Sequence, residues 1–320
     1  MKTTIIIPNY NGIQFLEDCL SSLQKQEYAF DTIVVDNGST DDSVAYIRHN
    51  FPKVKVLVSE KNEGFSAAVN KGIKASKTPF VLLLNNDTKV EADFVKSLEE
   101  GLERHRDYFG IQAKMLCFHE PDKMDDAGDL YCALGWAFAL GKGKEEQKFN
   151  RFYQVFAPCA GAAIYRKSVM EEIGYFDKEH FAYLEDIDIA YRAKIAGYKN
   201  GFCPQARVLH VGSGSSGSRY NSFKVRLAAR NSIYLIHKNM PFLQILINLP
   251  FLIPGFLIKA IFFFKKGFGV IYLKALWEGI CMSLSAPSSK QKVKFQSKNI
   301  ANYLKIQMEL WIGMVRRITG

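Results

Sequence analysis

The 320-residue sequence has no closely spaced pair of cysteines. Its six cysteines are scattered from Cys19 to Cys281 without a C-x-x-C motif, which argues against a structural zinc site and against a disulfide framework. We therefore expect reduced cysteines and a cytosolic protein. The apolar run "IIIP" near the N-terminus is too short for a signal peptide, so the sequence predicts no export.

Two phosphate-binding motifs are also missing. The first strand–helix turn has no G-x-G-x-x-G, and G-x-x-x-x-G-K-[ST] occurs nowhere in the chain. Glycine-rich loops of these kinds hold phosphates in dinucleotide-dependent oxidoreductases and in P-loop proteins. The sequence therefore gives no support to either class.

Acidic residues are scarce in the last third of the chain. From Arg219 to Gly320 there are 16 Lys+Arg and 2 Asp+Glu, a balance of +14, whereas residues 1–218 have 26 against 30, a balance of −4. A basic region of this kind can bind nucleic acid or an anionic membrane. RNA-binding domains interleave aromatics with arginines, but the lysines here are flanked by long aliphatic runs. We expect a membrane surface and no nucleic acid.

The longest apolar run, residues 242–258, holds 17 residues without a charge. Pro250 and Pro254 interrupt it and Lys259 ends it, so it is at the short limit for a spanning helix. Broken amphipathic helices in the headgroup region, with lysines near the phosphates, fit better. A spanning helix and a helical core packed on the main domain remain alternatives.

Residues 2–118 alternate apolar runs with helical segments. The runs are "TTIIIP", "DTIVVD", "KVKVLVS" and "PFVLLLN", and the helices are predicted at 13–25, 42–50, 65–75 and 92–104. Buried strands separated by helices predict βαβ units and a parallel sheet. Each strand is followed by polar residues, which should converge at the carboxyl edge of the sheet, where such folds bind ligands.

From residue 152 the pattern changes. The small residues of 157–163 predict a strand that lets a ligand or another backbone approach closely. A charged helix is predicted at 184–196, with acids in its first turn that suit a helix N-terminus. Asp188 and Arg192 are spaced i, i+4 and predict an ordinary helix salt bridge.

Five of these segments resemble the motifs of family 2 glycosyltransferases with a GT-A fold. They are "PNYNG", "VVDNGSTDDS", "NEGFSAAVNKG", "LLLNND" and "YLEDIDIAYR…H", in the family's order. The resemblance covers residues 3–237 and is greatest to bacterial rhamnosyltransferase-type members that build cell-wall and surface polysaccharides. It implies an α/β fold with a mainly parallel, Rossmann-like central sheet flanked by helices. We expect a catalytic domain at 1–237, with nucleotide-binding (1–118) and acceptor (119–237) halves, and a membrane-docking helical region at 238–320.

The resemblance also implies a donor site for a nucleoside-diphosphate sugar. Asp36 matches the aspartate that hydrogen-bonds the pyrimidine ring. Pro8, Tyr10 and Asn11 match the base pocket, and Asn62, Gly64 and Asn70 match residues around the ribose and pyrophosphate. Asn85 and Asn86 are expected to contact the donor, Asn85 through the ribose or a metal-bound water. Arg219 is a candidate diphosphate contact on the Gly/Ser-rich loop 212–219, which is either a lid or a plain linker.

The metal site implied by the family has one clear departure here. Asp87 matches the last aspartate of the D-x-D motif, which holds Mg²⁺ or Mn²⁺ against the diphosphate, whereas Asn85 replaces the first aspartate. His210 lies where many members have a second ligand, and imidazole favours Mn²⁺. A single histidine after a strand is otherwise more often structural.

Asp186 matches the family's catalytic base, and we expect Glu185 to orient that base or an acceptor hydroxyl. Single displacement by such a base inverts the anomeric centre. We expect rhamnose transfer from dTDP-rhamnose to a polyprenyl-linked or oligosaccharide acceptor at the cytoplasmic face of a bacterial membrane. A UDP-hexose donor is the alternative, as is a catalytically silent nucleotide-sugar-binding scaffold.

Overall fold

The computed structural model describes residues 1–212, 220–285 and 290–319. Its first part is four strands joined by three helices: β1 (Thr3–Asn9), α1 (Ile13–Gln24), β2 (Asp31–Asp36), α2 (Ser43–Asn50), β3 (Lys55–Val58), α3 (Phe65–Ala75) and β4 (Phe80–Leu84). These strands are parallel in the order β3-β2-β1-β4. Every strand and helix predicted in this part is present, with bounds within two residues.

The sheet becomes mixed beyond β4. The next elements are β5 (Thr88–Val90), α4 (Phe94–Arg104), β6 (Tyr108–Cys117), β7 (Glu120–Asp126), β8 (Asp129–Cys132), β9 (Trp136–Ala139), β10 (Tyr153–Val155), β11 (Ala162–Arg166), α5 (Lys167–Ile173), α6 (Glu185–Ile195) and β12 (Lys199–His210). Strand β11 lies antiparallel between β4 and β6, whereas β12 is parallel to β6. Antiparallel neighbours need no crossover helix, and the chain between β6 and β11 has no α-helix. The mainly parallel order therefore applies to the first half of the sheet.

The predicted strand at 157–163 begins later than expected, because β11 starts at Ala162. The preceding residues form a loop that passes the end of β4, where the Asn85 N–H donates to the carbonyl of Gly161 at 2.8 Å. A side chain at Gly161 would lie 3.0 Å from the Asn85 amide nitrogen. The small residues thus permit a close backbone approach, as predicted, in a loop instead of a strand.

The core lies on both faces of the sheet. Ile5 and Ile7 face α1 and α4 on one side, while Ile6, Val81 and Leu83 face α3 and α5 on the other. All are fully buried. Because side chains alternate across a strand, a strand covered on both faces is apolar throughout, which explains the unbroken aliphatic runs.

Four long helices follow the sheet: α7 (Ser222–Asn239), α8 (Phe242–Lys265), α9 (Gly269–Leu284) and α10 (Ile300–Thr319). The expectation of broken helices at Pro250 and Pro254 is wrong, since α8 is continuous through both. Both prolines lie on its outward face, so the carbonyls they leave without a donor are not enclosed in the core. The predicted boundary at 237/238 falls two residues before the end of α7.

The last helices pack on the acceptor half. The N–H of Ala133 donates to the Leu310 carbonyl of α10 at 3.1 Å, and the Trp136 indole N–H donates to the Gly255 carbonyl of α8 at 3.1 Å. A side chain at Gly313 would lie 2.7 Å from the Tyr131 carbonyl oxygen. The β8–β9 hairpin is therefore held between α8 and α10.

Candidate active site

The strand order reverses between β1 and β4, and polar side chains join the ends of three strands at this point. Asn86 Nδ2, after β4, donates to Asn9 Oδ1 of β1 at 2.7 Å, and Asn9 Nδ2 donates to Asp36 Oδ2 of β2 at 2.9 Å. Such a switch point is where open α/β sheets bind ligands. The polar edge predicted from the sequence is therefore one connected network.

Asp36 is fully buried at this edge. Besides Asn9, its carboxylate accepts from the Ser39 backbone N–H at 3.0 Å and from the Ser39 hydroxyl at 2.6 Å. These bonds fix the loop after β2. Direct contact between Asp36 and a base stays a prediction.

The other predicted base and ribose residues line the neighbouring loops. Pro8 is half-buried and Tyr10 is 42% exposed at the end of β1. Asn11 has a left-handed backbone (φ 48°), and its Oδ1 accepts from the Thr40 N–H at 2.8 Å. Asn62 Oδ1 accepts from the Gly64 N–H at 2.9 Å. These loops form a preorganised rim along β1, β2 and β3.

Gly64 and Asn70 are engaged by the protein itself. A side chain at Gly64 (φ +86°) would lie 2.6 Å from the Phe181 carbonyl oxygen, so the close approach made there is to Phe181. The Asn70 side chain is bonded at both ends to the Phe176 backbone, at 2.6 and 3.1 Å. Both residues hold the segment 176–181 against α3. Their contacts with a donor stay predictions.

A carboxylate–imidazole–carboxylate row lies beside the end of β4. His210 Nε2, at the end of β12, is 3.3 Å from Asp87 Oδ1, and His210 Nδ1 is 2.7 Å from Asp125 Oδ2. Asp125 also pairs with Lys142 at 2.6 Å. A carboxylate on one imidazole nitrogen leaves the other nitrogen oriented toward a metal, as in many metal sites. The donor set of Asp87 and His210 therefore fits Mg²⁺ or Mn²⁺.

The electrostatics of this row favour a positive charge. Burial alone lowers the pKa of His210, but hydrogen bonds and charge interactions with Asp125 and Asp87 outweigh it and raise the pKa to about 9. A divalent cation would take the place of that proton, because metal binding requires the neutral imidazole. Asn85 Nδ2 is 3.5 Å from His210 Nε2, so the residue that departs from D-x-D borders the same position.

Asp186 is in the first turn of α6, on the other side of the loop 159–161. Its Oδ1 accepts from the Ile187 N–H at 2.7 Å, and it also accepts from the Ala160 backbone. The next residue of that loop, Gly161, bonds the Asn85 backbone. The loop thus places the predicted base and the end of β4 on either side of a single backbone segment.

The carboxyl groups of α6 have raised pKa values. Burial raises the pKa of Asp186, in the direction that suits a general base. Burial and the neighbouring Asp186 raise the pKa of Glu185 to about 8, and Glu185 Oε2 has no hydrogen-bond partner. Burial thus favours the neutral form of Glu185, whereas the neighbouring Asp186 is half-buried.

The Asp188–Arg192 pair is present but is not an ordinary surface salt bridge. Asp188 is fully buried, and Arg192 Nε and Nη2 donate to its Oδ2 at 3.1 and 2.9 Å. Lys238 of α7 donates to both Asp188 and Asp177, at 2.9 and 2.6 Å. The i, i+4 spacing predicted the pair but not its burial, because the residues that surround the pair come from α7 and from the segment before α6.

The residues 125–129, "DDAGD", were not singled out as functional in the sequence. Asp125 supports His210, while Asp126 and Asp129 lie near Asp186 and Cys159. Three acids in five residues, at the junction of β7 and β8, were the available signal. Arg219 and the rest of the predicted lid, residues 213–219, lie outside the described residues.

The sheet order is that of the GT-A fold class. A solved structure of this class, GalNAc-T7 with UDP, GalNAc and Mn²⁺, matches with a TM-score of 0.61 at 18% identity, over 74% of this chain and 48% of that protein. The family described as Glycosyl transferase family 2 matches residues 4–174, more than half of the chain. The chain belongs to this family of enzymes, which transfer sugars from nucleotide donors, and both the family and the fold predicted from the sequence are confirmed.

Two curated relatives show the range of the family. The low-salt glycan biosynthesis hexosyltransferase Agl10 of Haloferax volcanii is 26% identical over 277 residues, covering 82% of this chain and 85% of the relative. The N-acetylglucosaminyl-diphospho-decaprenol L-rhamnosyltransferase of Mycobacterium tuberculosis is 24% identical over 242 residues, covering 67% and 77%. A hexosyltransferase and a rhamnosyltransferase thus lie at similar distances.

Proposed function

We propose that the protein is a metal-dependent, inverting glycosyltransferase that transfers a sugar from a nucleoside-diphosphate donor to a lipid-linked or growing cell-surface polysaccharide acceptor. The observation that carries the proposal is the pairing of two sites across the loop 159–161. On one side lie Asp87 and His210, with Asp125 behind them. On the other lies Asp186, half-buried at the crevice with its pKa raised.

Asp87 and His210 would hold Mg²⁺ or Mn²⁺, which supplies positive charge to stabilise the diphosphate leaving group. Imidazole favours Mn²⁺, and the GT-A structure of GalNAc-T7 contains Mn²⁺ with UDP. Asn85 borders the site without adding a charge, so the protein has one carboxylate fewer than D-x-D members. Metal binding should therefore depend strongly on the diphosphate of the donor.

Asp186 takes the proton of the acceptor hydroxyl as that oxygen attacks the anomeric carbon from the face opposite the diphosphate. A general base contributes roughly 10²–10⁴-fold to such a step. Glu185, whose pKa is raised by burial, orients the base or an acceptor hydroxyl. Asp36, Tyr10 and Asn62 belong to the loops proposed to bind the nucleotide.

The donor is proposed to be dTDP-rhamnose, with a UDP-hexose as the alternative. The mycobacterial relative favours rhamnose and a polyprenyl-linked acceptor, whereas the archaeal relative favours a hexose. A thermal-shift panel of dTDP-rhamnose, UDP-glucose, UDP-galactose and UDP-N-acetylglucosamine, each with Mn²⁺, separates the two. Stabilisation by the dTDP sugar alone supports rhamnose, and stabilisation by a UDP sugar alone contradicts it.

The acceptor is proposed to lie in an anionic membrane on which the C-terminal helices dock, at the cytoplasmic face of a bacterial cell. Helix α8 is long and apolar enough to cross a membrane by length and composition. Its inward face, however, carries the buried polar residues Gln244 and Asn248, which bond Gln307 of α10 at 3.2 and 2.8 Å. A helix packed on the protein along one side favours docking over spanning.

Replacing Asp186 with Asn tests the proposal against a silent scaffold. Transfer should fall by about 10²–10⁴-fold, because the amide cannot accept the proton, while binding of UDP or dTDP with Mn²⁺ is kept. Product formation from the selected nucleotide sugar and calorimetric nucleotide binding are the two measurements. Unchanged transfer would show that Asp186 is not the base, and unchanged polymer synthesis in cells would favour the scaffold.

A further inference from the structure

The chain directly before α6 has an unusual backbone. Phe181 (φ 61°, ψ −64°) is the centre of a γ-turn, in which the Ala182 N–H donates to the His180 carbonyl at 2.7 Å. Tyr183 (φ 70°) and Leu184 (φ 67°) are left-handed. Residues other than glycine rarely adopt these conformations, which persist only where the surrounding structure enforces them. Three such residues within four positions therefore need a support from outside the segment.

Asn231 of α7 provides this support. Its side chain is fully buried, and Nδ2 donates to the carbonyl oxygens of His180, Ala182 and Tyr183 at 2.8, 2.9 and 2.8 Å. The first two of these carbonyls lie on either side of Phe181, at the centre of the γ-turn. A carbonyl removed from water without a donor is costly, so the strained backbone is stable only while the amide group is present.

The neighbouring Arg230 fixes the orientation of the Asn231 amide. Arg230 Nε donates to Asn231 Oδ1 at 2.9 Å, and Arg230 Nη2 donates to the carbonyls of Glu179 and His180 at 2.8 and 3.0 Å. The amide oxygen thus accepts from Arg230 while the amide nitrogen donates to the segment. Two adjacent residues of α7 therefore bind the backbone before α6 from one side.

One end of this segment contacts the loop proposed to bind the nucleotide. The Phe181 carbonyl accepts from the Ser66 N–H, in the first turn of α3, at 3.3 Å. A side chain at Gly64 would lie 2.6 Å from both the Phe181 carbonyl oxygen and the Phe181 ring. The γ-turn is therefore packed directly against the start of α3.

The other end of the segment begins α6. The Leu184 carbonyl accepts from the Asp188 N–H at 2.9 Å, which closes the first turn of the helix, and Asp186 lies within that turn. Because the turn is short and hydrogen-bonded, the position of Asp186 follows that of Leu184. A shift of the segment would therefore move the proposed base relative to the donor.

We propose that Asn231 is a positioning residue: it holds the strained segment 180–184 and thereby sets the position of Asp186 relative to the proposed donor site. This inference rests on the proposed role of Asp186 as base. A displacement of about 1 Å caused by a change far from the reacting atoms can lower an enzymatic rate about 10²-fold. Asn231 thus acts on the reaction through the backbone that its amide group binds.

Asn231→Ala removes the amide and should lower kcat by about 10- to 100-fold, with a much smaller effect on the Kd for UDP with Mn²⁺. Asn239→Ala is the matched control, because Asn239 is a buried asparagine of the same helix that bonds Asp188 instead of the segment. Both variants should unfold at a lower temperature, and only Asn231→Ala should lose kcat. An equal loss of kcat in the two would overturn the proposal.

A second substitution tests the strain itself. Glycine adopts left-handed conformations without a side-chain penalty, so adding Leu184→Gly to Asn231→Ala should restore part of the lost kcat. Ala182→Gly is the matched control, since Ala182 is in the same segment but has no positive φ. It adds flexibility without relieving strain and should restore nothing. Absence of rescue by Leu184→Gly, or equal rescue by both glycines, would contradict the proposed role.

Digestion with chymotrypsin, which cleaves after aromatic residues, examines the segment without substrate. Phe181 and Tyr183 are half-buried, so both should resist cleavage in the wild type and in Asn239→Ala and become cleavable in Asn231→Ala. If Asn231→Ala does not fold, Arg230→Met is the milder variant, because it only frees the Asn231 amide to rotate. Wild-type digestion and wild-type kcat in Arg230→Met would then overturn the proposal.

The outcome for Asp186→Asn separates this inference from the proposed function. If Asp186→Asn abolishes transfer and Asn231→Ala has the kcat of the wild type, this inference alone fails. If Asp186→Asn retains transfer, the proposed base fails and this inference fails with it.

Discussion

Asp125 orients the imidazole ring of His210 through a direct contact. It lies 2.7 Å from His210 Nδ1 and pairs with Lys142, so it fixes both the ring orientation and the nitrogen that faces Asp87. Loss of such a supporting carboxylate commonly weakens metal binding by roughly 10- to 100-fold. Asp125 is thus expected to affect metal affinity through His210.

Asp125→Ala should therefore raise the Kd for Mn²⁺ by about 10- to 100-fold when UDP is present, because the imidazole loses its orienting partner. Titration calorimetry with Mn²⁺ measures the effect directly. Asp122→Ala removes an exposed acid from the same strand and serves as control. An unchanged Kd in Asp125→Ala would show that His210 is not a ligand.

Motifs in the sequence contain the candidate residues Asp87 and Asp186, whose roles stay predictions. Residues that only tertiary contact brings together were not found from the sequence. Asp125 meets His210 only because β7 and β12 both pair with β6, on opposite edges. That pairing is set by long-range strand order, which local composition does not encode.

At the scale of elements, α6 is attached to α7 by buried charges. Lys238 lies between Asp177 and Asp188, and Asn239 Nδ2 donates to Asp188 Oδ1 at 2.8 Å. Two carboxylates face two cations, Lys238 and Arg192, so the network is balanced while complete. Removing one member leaves a buried charge without compensation.

Lys238→Met should consequently lower the free energy of unfolding by about 3–5 kcal/mol, the usual effect of breaking a buried ion pair. Arg226→Met breaks the exposed Arg226–Glu278 pair and should cost about 1 kcal/mol or less. Urea denaturation of both variants makes the comparison. Equal losses in the two would mean that the network does not stabilise the fold.

His180, on the segment before α6, adds a pH dependence to this network. It is fully buried, neither ring nitrogen has a hydrogen-bond partner, and burial lowers its pKa to about 4. The unfolded chain, with an ordinary pKa of about 6.5, binds more protons than the folded protein between pH 6.5 and 4. Folding stability due to this residue therefore falls as the pH decreases through that window.

The His180→Phe variant should lose less stability than wild type between pH 7 and pH 5, by about 2 kcal/mol, because the unfolded state no longer gains that proton. Phenylalanine keeps a ring beside Tyr234, whose centroid lies 5.2 Å away. Parallel urea titrations at the two pH values give the difference. Identical pH dependence in the two proteins would mean that burial does not lower the pKa of His180.

The elements of the first half could be predicted because β1, β2 and β4 have continuous apolar runs and the helices between them have apolar residues at helical spacing. Pro250 and Pro254 predict a break in the helix, so the continuity of α8 could not be predicted from the sequence. Its inward face is held to α10 by Gln244 and Asn248, and tertiary contacts of this kind outweigh the local penalty of a proline. The mixed order beyond β4 was likewise decided by strands that are distant in sequence.

At the scale of the whole molecule, helices α8, α9 and α10 expose many large apolar side chains, which helices of a water-exposed domain normally bury. On α8 the polar side chains face inward, and exposed apolar residues follow one another at spacings of three, four and seven: Leu246, Ile253, Leu257, Ile261 and Phe264. Exposed apolar residues also occur on α9 and α10, including Trp277, Leu304 and Met308. An apolar face of this extent with lysines nearby fits an anionic lipid surface.

Exposed lysines accompany this face and supply the charge that an anionic surface would attract: Lys265, Lys266, Lys292, Lys294 and Lys298. Each such residue contributes roughly 1 kcal/mol near an anionic membrane, and the contribution falls with salt. Burial of the apolar side chains and attraction of the lysines to anionic lipid should therefore both contribute to membrane binding. Binding to phosphatidylcholine vesicles should increase when phosphatidylglycerol is added and should weaken, without disappearing, in high salt.

The double variant Ile253→Glu/Leu257→Glu tests the apolar part, since both side chains are more than half exposed on α8. Burying an aliphatic side chain fully is worth about 1.5–3 kcal/mol, so the pair should lower vesicle binding at least tenfold. Val58→Glu, an exposed aliphatic residue at the far edge of the sheet, is the matched control. Cosedimentation with the mixed vesicles measures binding, and UDP binding with Mn²⁺ checks that the nucleotide site is intact. Wild-type protein that stays wholly in the supernatant at low salt would contradict docking, as would equal binding by the double variant and Val58→Glu.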